Sequence, residues 1–160
     1  MSSSLMIRRA RRKDRSKMKE CNERNLKENY KIEFWEKPLL NYPWKSFVLV
    51  DGDKKEEDKI HGYLFADENF IISFAIDEKY RGQGWGKKLL TTFLQESNKD
   101  PSTMTFGPCP LIRLHVKCSN ETAINLYKKC GFTIAGSIPD YYQNPVENAY
   151  LMIYDRSNIM

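Results

Sequence analysis

Three glycines at alternate positions stand beside basic residues in the segment YRGQGWGKK, residues 80–88. Glycine removes side chains from a turn, so a ligand can approach the backbone closely. The N–H groups that open a following helix would converge there with the positive end of the helix dipole. This arrangement suits a pyrophosphate, with added charge from Arg81 and from Lys87 or Lys88. A turn that binds nothing is the alternative interpretation of the same residues.

The spacing of the glycines excludes two common nucleotide motifs. A Walker A loop requires GxxxxGK[ST], but the residue five positions before Gly86 is Arg81. A dinucleotide fingerprint requires GxGxxG, whereas Gly82, Gly84 and Gly86 give GxGxG. No acidic residue follows a second parallel strand to hold a ribose. The pattern therefore favours neither a nucleoside triphosphate nor NAD.

Hydrophobic periodicity and capping residues predict the elements that would position this loop. The predicted strands are Leu5–Arg9, Lys45–Asp51, Ile60–Ala66, Asn69–Ile76, Leu111–Lys117, Phe132–Ile138 and Ala149–Tyr154. The predicted helices run from an N-cap at Asp14 to about Asn25, from Tyr30 to Leu40, from Gly86 to Ser97, and from an N-cap at Ser119 or Asn120 to a C-cap at Gly131. Pro38 and Pro43 are expected to bound the end of the second helix. This order predicts an α/β (α+β) domain with a mixed sheet.

The composition predicts one globular domain over residues 1–160. Hydrophobic residues make up 41% of the chain and aromatic residues 12%, which is too rich for disorder. No apolar run approaches the roughly 18 residues of a membrane span, and the N-terminus lacks the apolar core of a signal peptide. We therefore expect a cytoplasmic protein, with a nuclear fraction as a second expectation. The cysteines form no metal-ligand pattern with the two histidines and are interpreted as reduced structural thiols: Cys21, Cys109, Cys118 and Cys130.

The positive charge is concentrated at the N-terminus. Residues 1–20 carry eight Lys and Arg against two Asp and Glu, or +6, whereas residues 21–160 carry 18 against 19, or −1. The basic segment 1–13 includes the first predicted strand. It is either a contact for RNA or an import receptor, or a solvated strand end followed by a helix start. A diffuse nucleic-acid-binding surface is not supported.

The glycine loop resembles the signature of one enzyme family. The pattern Arg81-x-x-Gly84-x-Gly86 is similar to Q/R-x-x-G-x-G/A of the GCN5-related N-acetyltransferases (GNAT), where the loop wraps the pyrophosphate of acetyl-CoA. The segment Ser119–Phe132, SN..A...Y..CGF, resembles the acceptor-side helix of that family. The resemblance covers Ile7 to about Tyr154. It implies a GNAT fold with a mixed, mostly antiparallel sheet of about seven strands and four helices, acetyl-CoA as co-substrate, and no metal.

Both ends of the chain resemble the NatA-type N-terminal acetyltransferase catalytic subunits. The opening IRRARRKDRSKMKECNERNLKENY is similar to IR-x-AR-x-x-D…M-x-x-CN…LPENY, and IPDYYQNPVENAYLM to E-P-x-YY…EDAYxM. The resemblance implies acetyl transfer to the N-terminal α-amine of proteins or nascent peptides. It further implies a large helical auxiliary subunit near the ribosome, with residues 14–40 as the partner face. Apolar residues on the Met18 or Trp35 side would fit that face or the core.

The resemblance also implies roles for individual residues. Backbone groups of the strand before the loop and N–H groups of the loop would hold the coenzyme, and two residues of the later helix would lie near its pantetheine arm and sulfur: Phe74, Ile76, Arg81, Gly82, Gln83, Gly84, Trp85, Gly86, Lys87, Asn120 and Tyr127. The first residue of the peptide would contact Leu26, Tyr30, Lys117 and Tyr141. Tyr127 would hydrogen-bond the departing sulfur.

Direct attack in a ternary complex needs a neutral amine and no enzyme nucleophile. An α-amine has a pKa near 8, about two to three units below that of lysine, so a weak base suffices. Three residues are candidates for handling its proton. Glu28 lies in LKENY, His115 on the polar face of its strand, and Tyr142 in DYY. The alternatives are a surface carboxylate, a structural histidine and a tyrosine packed on the sheet.

Three positions depart from the family pattern and bear on the base and the substrate preference. Lys27 stands where the family usually has proline, Phe70 where it often has histidine, and Lys117 where it has arginine. Two alternatives to an N-terminal acetyltransferase therefore stay open. One is a lysine or small-amine acetyltransferase of the same family. The other is a non-catalytic acyl-CoA-binding or ribosome-associated module.

Overall fold

The computed structural model describes residues 4–52, 59–99 and 111–158. Within these segments, the strands are β1 (Leu5–Arg9), β2 (Phe47–Asp51), β3 (Ile60–Asp67), β4 (Phe70–Ile76), β5 (Leu111–Lys117), β6 (Thr133–Tyr142) and β7 (Glu147–Asp155). The helices are α1 (Arg15–Asn25), α2 (Ile32–Asn41), α3 (Trp85–Asn98) and α4 (Glu121–Lys129). The element order is therefore the one that the sequence predicted.

The strands form one sheet in the order β1-β2-β3-β4-β5-β7-β6. β4 and β5 are parallel, with Phe70 opposite Arg113, while the pairs β1–β2, β2–β3, β5–β7 and β7–β6 are antiparallel. This confirms a mixed, mostly antiparallel sheet of seven strands with four helices. The chain divides into two compact units, which are taken separately below: residues 1–68 with 72–97, and residues 69–71 with 98–160.

The first unit has an aromatic core beneath α1 and α2. Trp35 of α2 is fully buried, with its ring centroid 5.5 Å from that of Tyr63 and 4.5 Å from that of Phe65 on β3. Met18 and Cys21 of α1 are buried in the same cluster. Core packing is thus confirmed for the apolar Met18 and Trp35 sides, and their use on an exposed partner face is excluded.

Helix α2 contains Pro38 in its interior, whereas the sequence predicted that this proline bounds the helix end. Proline removes one i→i−4 hydrogen bond and strains the preceding turn. Pro38 and Leu39 are both buried, and the N–H of Tyr42 donates to the carbonyl of Pro38 at 2.8 Å. Burial of this apolar face outweighs the local penalty, so the helix begins at Ile32 and continues to Asn41.

Asp14 occupies the predicted N-cap position of α1, but its side chain makes no capping hydrogen bond to that helix. Its carboxylate accepts two hydrogen bonds from the Arg8 guanidinium, at 2.7 and 3.0 Å, and one from the N–H of Arg11 at 2.7 Å. A short 3-10 turn at Arg12–Asp14 directs the carboxylate to these partners. Burial by itself raises the pKa of Asp14, but the hydrogen bonds and charges of Arg8 and Arg11 outweigh it and lower the pKa below 3.8.

We expect Asp14→Asn to lower the free energy of unfolding at pH 7 by about 2–3 kcal/mol, because it leaves the half-buried Arg8 without its anion. The folded chain lowers the pKa of Asp14, so its contribution is present above the unfolded value and is lost as the pH falls through the folded value. Urea unfolding at neutral and acid pH measures this difference, which should shrink below about pH 4.

Glu23→Gln is the matched control for Asp14→Asn, since Glu23 forms an exposed ion pair with Lys19 at 2.8 Å. Its effect should stay within about 0.5 kcal/mol at every pH. A constant effect of Asp14→Asn from neutral to acid pH would contradict the assigned ion pair.

Acidic side chains neutralise much of the basic N-terminal region. Arg9 lies 3.0 Å from Glu96, and Arg12 and Arg15 lie 3.2 and 3.5 Å from Glu36. These pairs support the interpretation of a solvated strand end and helix start rather than a nucleic-acid contact.

The second unit confirms the alternation predicted for β5, because Ile112, Leu114 and Val116 are buried while Arg113 is exposed. Helix α4 begins after Asn120, whose side-chain oxygen accepts a hydrogen bond from the N–H of Ala123 at 3.1 Å, and the predicted N-cap is confirmed. β6 extends to Tyr142, four residues beyond its predicted end, because the hairpin with β7 continues the ladder.

The described segments also bear on the sequence-based expectations about membrane spans, metal sites and cysteines. No helix of the described segments is long and apolar enough to cross a membrane. The same segments hold no cluster of three or more His, Cys, Asp or Glu side chains arranged for a metal ion. Cys21, Cys118 and Cys130 are thiols, and Cys109 lies outside the described residues.

Candidate active site

The glycine loop joins β4 to α3 through the 3-10 turn Glu78–Tyr80. Gly82 and Gly84 have φ angles of +74° and +90°, which side chains rarely adopt. A Cβ built on either would meet no atom within 4 Å, so the backbone here borders open space. The loop thus offers the cradle that the sequence predicted, at two of its three glycines.

Helix α3 turns its first N–H groups toward this cradle. Its first hydrogen bond runs from the N–H of Lys88 to the carbonyl of Gly84 at 3.1 Å. The N–H groups of Trp85, Gly86 and Lys87 in the first turn therefore have no intrahelical acceptor. Such groups, together with the helix dipole, bind anions. The residues present fit the pyrophosphate of a coenzyme.

The Arg81 side chain anchors the loop rather than standing free as a cation. Its Nε donates to the carbonyl of Ile76 at 2.8 Å and its Nη2 to Oδ1 of Asn25 at 2.8 Å. The sequence predicted that Arg81 adds charge and that the carbonyl of Ile76 contacts the coenzyme. In the structure, one donor of Arg81 binds this carbonyl and another binds Asn25, the last residue of α1. These groups therefore hold the loop in place. Phe74 shares with Ile76 the half-buried face of β4.

Asp77 joins this anchor to α1 and β3. Its carboxylate accepts hydrogen bonds from Asn25 at 2.7 Å and from Arg24 at 3.1 Å, and lies 3.7 Å from Nδ1 of His61. Burial raises the pKa of Asp77, but these donors and the charge of Arg24 lower it overall. Burial, with Asp77 nearby, raises the pKa of the Cys21 thiol to about 12, which keeps it protonated and unreactive.

A buried amide positions the loop that carries Glu28. Asn22 is fully buried, and its Nδ2 donates to the carbonyl of Glu28 and to the hydroxyl of Tyr63, each at 3.0 Å. The hydroxyls of Tyr63 and Ser73 are 2.7 Å apart, and Asn29 donates to Oδ1 of Asn22 at 3.0 Å. Since residues 26–31 have no helix or strand of their own, these bonds fix the loop and the position of Glu28.

The two predicted peptide contacts of the first unit flank Glu28. Leu26 and Tyr30 are half-buried and pack against the aromatic core. The ring of Tyr30 stacks on Phe34 with centroids 4.4 Å apart and meets Trp35 edge to face. The loop and its flanks thus carry two of the four predicted peptide contacts and one of the three candidate bases.

In the second unit, His115 and Tyr141 are hydrogen-bonded. Nδ1 of His115 lies 3.0 Å from the hydroxyl of Tyr141, and its ring meets Phe70 edge to face at 5.0 Å. Burial lowers the pKa of His115 below 6.5, and the charge of Arg113 lowers it further. The imidazole is therefore mostly neutral at pH 7, the form that can accept a proton. Phe70, where the family often has histidine, supplies a ring contact in its place.

Tyr142, Lys117 and Tyr127 lie together in the same unit. The Nζ of Lys117 is 5.3 Å from the ring centroid of Tyr142. Burial raises the pKa of Tyr127, and Tyr142 raises it further. Tyr127 therefore keeps its proton and can donate a hydrogen bond. Asn120 uses its side-chain oxygen to cap α4.

Sequence reasoning missed the side chains that hold these groups in place. Tyr63 and Ser73 lie on strands that were assigned only by apolar pattern, and Asn25 and Asp77 lie at element ends without a known signature. Asn22 had a signal, because it belongs to the CN pair of the N-terminal resemblance.

The sheet is mixed and has seven strands, and its β4 and β5 are parallel. Between these two strands along the chain lie the glycine cradle and α3. This arrangement agrees with the acyltransferase class predicted from the sequence. The sequence model of the acetyltransferase (GNAT) domain matches residues 44–134. The chain therefore belongs to the GNAT acetyltransferase family.

The relatives of this chain include N-α-acetyltransferases. The N-alpha-acetyltransferase of Sulfurisphaera tokodaii is 32% identical and the alignment spans 91% of this chain and 90% of the relative. The catalytic subunit ard1 of the N-terminal acetyltransferase A complex of Schizosaccharomyces pombe is 29% identical, over 96% and 86%. The crystal structure of Ard1 from Thermoplasma volcanium is 26% identical with a TM-score of 0.74, over 94% and 96%.

The fold is also shared with one chain of a solved multi-component complex. The structure of the NatC complex bound to Gag peptide and CoA has a TM-score of 0.78 at 22% identity, over 95% of this chain and 98% of the other. At this identity the likeness shows the fold alone.

Proposed function

We propose that this chain transfers the acetyl group of acetyl-CoA to the N-terminal α-amine of proteins or nascent peptides. The observation that carries the proposal is the open cradle at Gly82 and Gly84, which leads into the free N–H groups of α3. The α-amine as acceptor is supported by the N-α-acetyltransferases among the relatives. It is also supported by the fixed loop around Glu28, which carries two of the predicted peptide contacts, Leu26 and Tyr30.

The chain's part in donor binding is backbone positioning. N–H groups from Gly82 to Lys87 would hold the pyrophosphate, while Arg81 fixes the start of the loop through Ile76 and Asn25. Acetyl-CoA, when bound, supplies an activated acetyl thioester. Phe74 and Ile76 would align the acetyl and pantetheine portions along β4.

Two residues would handle protons, one with a lowered pKa and one with a raised pKa. His115 is the favoured acceptor of the amine proton, because its lowered pKa keeps the imidazole neutral at pH 7. Tyr127, with its raised pKa, would donate a hydrogen bond to the departing thiolate. Glu28 would orient the incoming ammonium or amine. Tyr142 and Tyr141 would contact the peptide backbone near its first residue.

A large auxiliary subunit and the ribosome are the proposed partners, in the cytoplasm. Apolar side chains on and just after α2 support a partner surface, since Leu40 is 63% exposed and Phe34 and Trp44 are about two-fifths exposed. Gel filtration with a candidate helical subunit, comparing wild type with Leu40→Glu, tests this assignment. If the candidate subunit changes the elution of neither the wild type nor Leu40→Glu, the assignment of this partner surface is contradicted.

A peptide library assayed by mass spectrometry with acetyl-CoA tests the function. Free N-terminal peptides should be acetylated at the α-amine, and capping that amine should abolish the product. The library would also report the first-residue preference. Acetylation of internal lysines after capping would favour the lysine-directed alternative. Binding of acetyl-CoA without any product would favour a non-catalytic module.

A further inference from the structure

The β6–β7 hairpin departs from one-to-one register over residues 139–141, which include the first tyrosine of the pair Tyr141–Tyr142. Ile138 stands opposite Ala149 and Tyr142 opposite Glu147. Three residues of β6, numbers 139–141, therefore face one residue of β7, number 148. Such a bulge re-aims the side chains that follow it. Proline at position 139 suits this place, because it has no N–H to give to the ladder.

Asp140 holds the bulge in a backbone conformation that most residues avoid. Its φ angle is +53°, which asparagine, aspartate and glycine tolerate best. Its N–H donates to Oδ1 of Asn148 at 2.9 Å, in place of a backbone carbonyl. Asn148 is itself fixed, since its carbonyl accepts a hydrogen bond from the N–H of Cys118 at 3.0 Å.

The bulge explains why two consecutive tyrosines reach one face of β5. In a regular strand, neighbouring side chains point to opposite faces. Here the Tyr141 hydroxyl is 3.0 Å from His115, while the Tyr142 ring lies 5.3 Å from Nζ of Lys117. His115 and Lys117 are two residues apart on β5 and share its polar face. The two tyrosine rings contact each other edge to face at 5.0 Å.

We propose that Asp140 and Asn148 are positioning residues for peptide binding: the Asp140 backbone, locked by the Asn148 side chain, sets both tyrosines on the His115–Lys117 face to contact the first residues of the peptide. This rests on the proposed function, because it names the residues that shape the same acceptor site. The Asp140 side chain itself is not required. Only the backbone conformation and the amide clamp are.

The test compares substitutions that tolerate or oppose a positive φ in the full-length chain. Asp140→Val opposes it because valine is β-branched, and Asn148→Ala removes the clamp. Both should raise the KM for a free N-terminal peptide at least fivefold and leave the KM for acetyl-CoA within twofold. Asp140→Gly keeps the conformation accessible, so its peptide KM should stay several-fold below that of Asp140→Val.

Glu68→Val is the matched control, since Glu68 has a φ of +55° in the β3–β4 turn. It should lower thermal stability similarly without raising either KM.

A second readout does not depend on activity. The chain has two histidines, so the ¹⁵N signals of His115 and His61 can be compared directly at one pH. Asp140→Val and Asn148→Ala should shift the Nδ1 signal of His115 as Tyr141 moves away, and leave that of His61 in place. Equal peptide KM values for Asp140→Val and Asp140→Gly, or an unmoved His115 signal in Asn148→Ala, would overturn the proposal. If the wild-type chain acetylates no peptide, the proposed function fails, while the His115 signal still decides whether the bulge positions the tyrosine.

Discussion

Gly84→Val should raise the KM for acetyl-CoA by about 5- to 30-fold while the chain stays folded. A β-branched residue at a φ of +90° costs on the order of 1–2 kcal/mol if the loop keeps its conformation. That free energy corresponds to this change in affinity. The added side chain would also occupy the open space where the pyrophosphate is expected. Isothermal titration with acetyl-CoA and steady-state kinetics would measure the change.

Gly136→Val is the matched control for Gly84→Val. A Cβ at Gly136 also meets nothing within 4 Å, but its φ lies outside the range that side chains avoid. Substitution there should change acetyl-CoA affinity less than twofold. Unchanged acetyl-CoA binding by Gly84→Val, in a chain that melts like wild type, would show that this loop is only a turn.

His115→Ala should lower kcat about 100-fold with little change in either KM, as removal of a general base does. The structure lowers the pKa of His115 below 6.5, so the wild-type rate should fall as the pH drops through that lower value. The substrate amine, with a pKa near 8, gives a separate limb that should persist in the variant. A profile of kcat/KM for the peptide against pH, taken for both proteins, measures the two limbs.

Two further variants test whether Glu28 or Tyr142, rather than His115, is the general base. Glu28→Gln keeps the size of the side chain and removes its charge, and Tyr142→Phe removes only a hydroxyl. We expect both to raise the peptide KM more than they lower kcat. If Glu28→Gln instead removes the acidic limb and His115→Ala leaves it, the glutamate is the base and the assignment of His115 is wrong.

Local patterns predicted most of the fold. The alternation along Leu111–Lys117 fixed which face of β5 is buried, because side chains in a strand alternate with period two. The N-cap of α4 at Asn120 followed from its side-chain chemistry, which competes well for the first N–H groups of a helix. The turn in the glycine loop was predicted from its glycines, because glycine adopts the positive φ angles found at Gly82 and Gly84 more freely than other residues.

The errors arose where packing outweighed a local rule. Pro38 ends helices in isolation, but here it is buried within α2. Asp14 is a good capping residue, yet its carboxylate is taken by Arg8 on a neighbouring strand. In each case a contact between elements exceeds a local preference worth about 1–3 kcal/mol.

By itself, then, the sequence determined the element order and the glycine turn, and it supplied the predictions for the donor chemistry and for the residues of the acceptor site. Only the tertiary structure decided how those residues are held. Asn22 reaches Tyr63 across 41 positions of the chain, and His115 reaches Tyr141 across 26. Asp140 is placed by a register shift in a hairpin rather than by any motif. Hydrogen bonds of this kind exist only after distant strands have paired, so no local pattern can encode them.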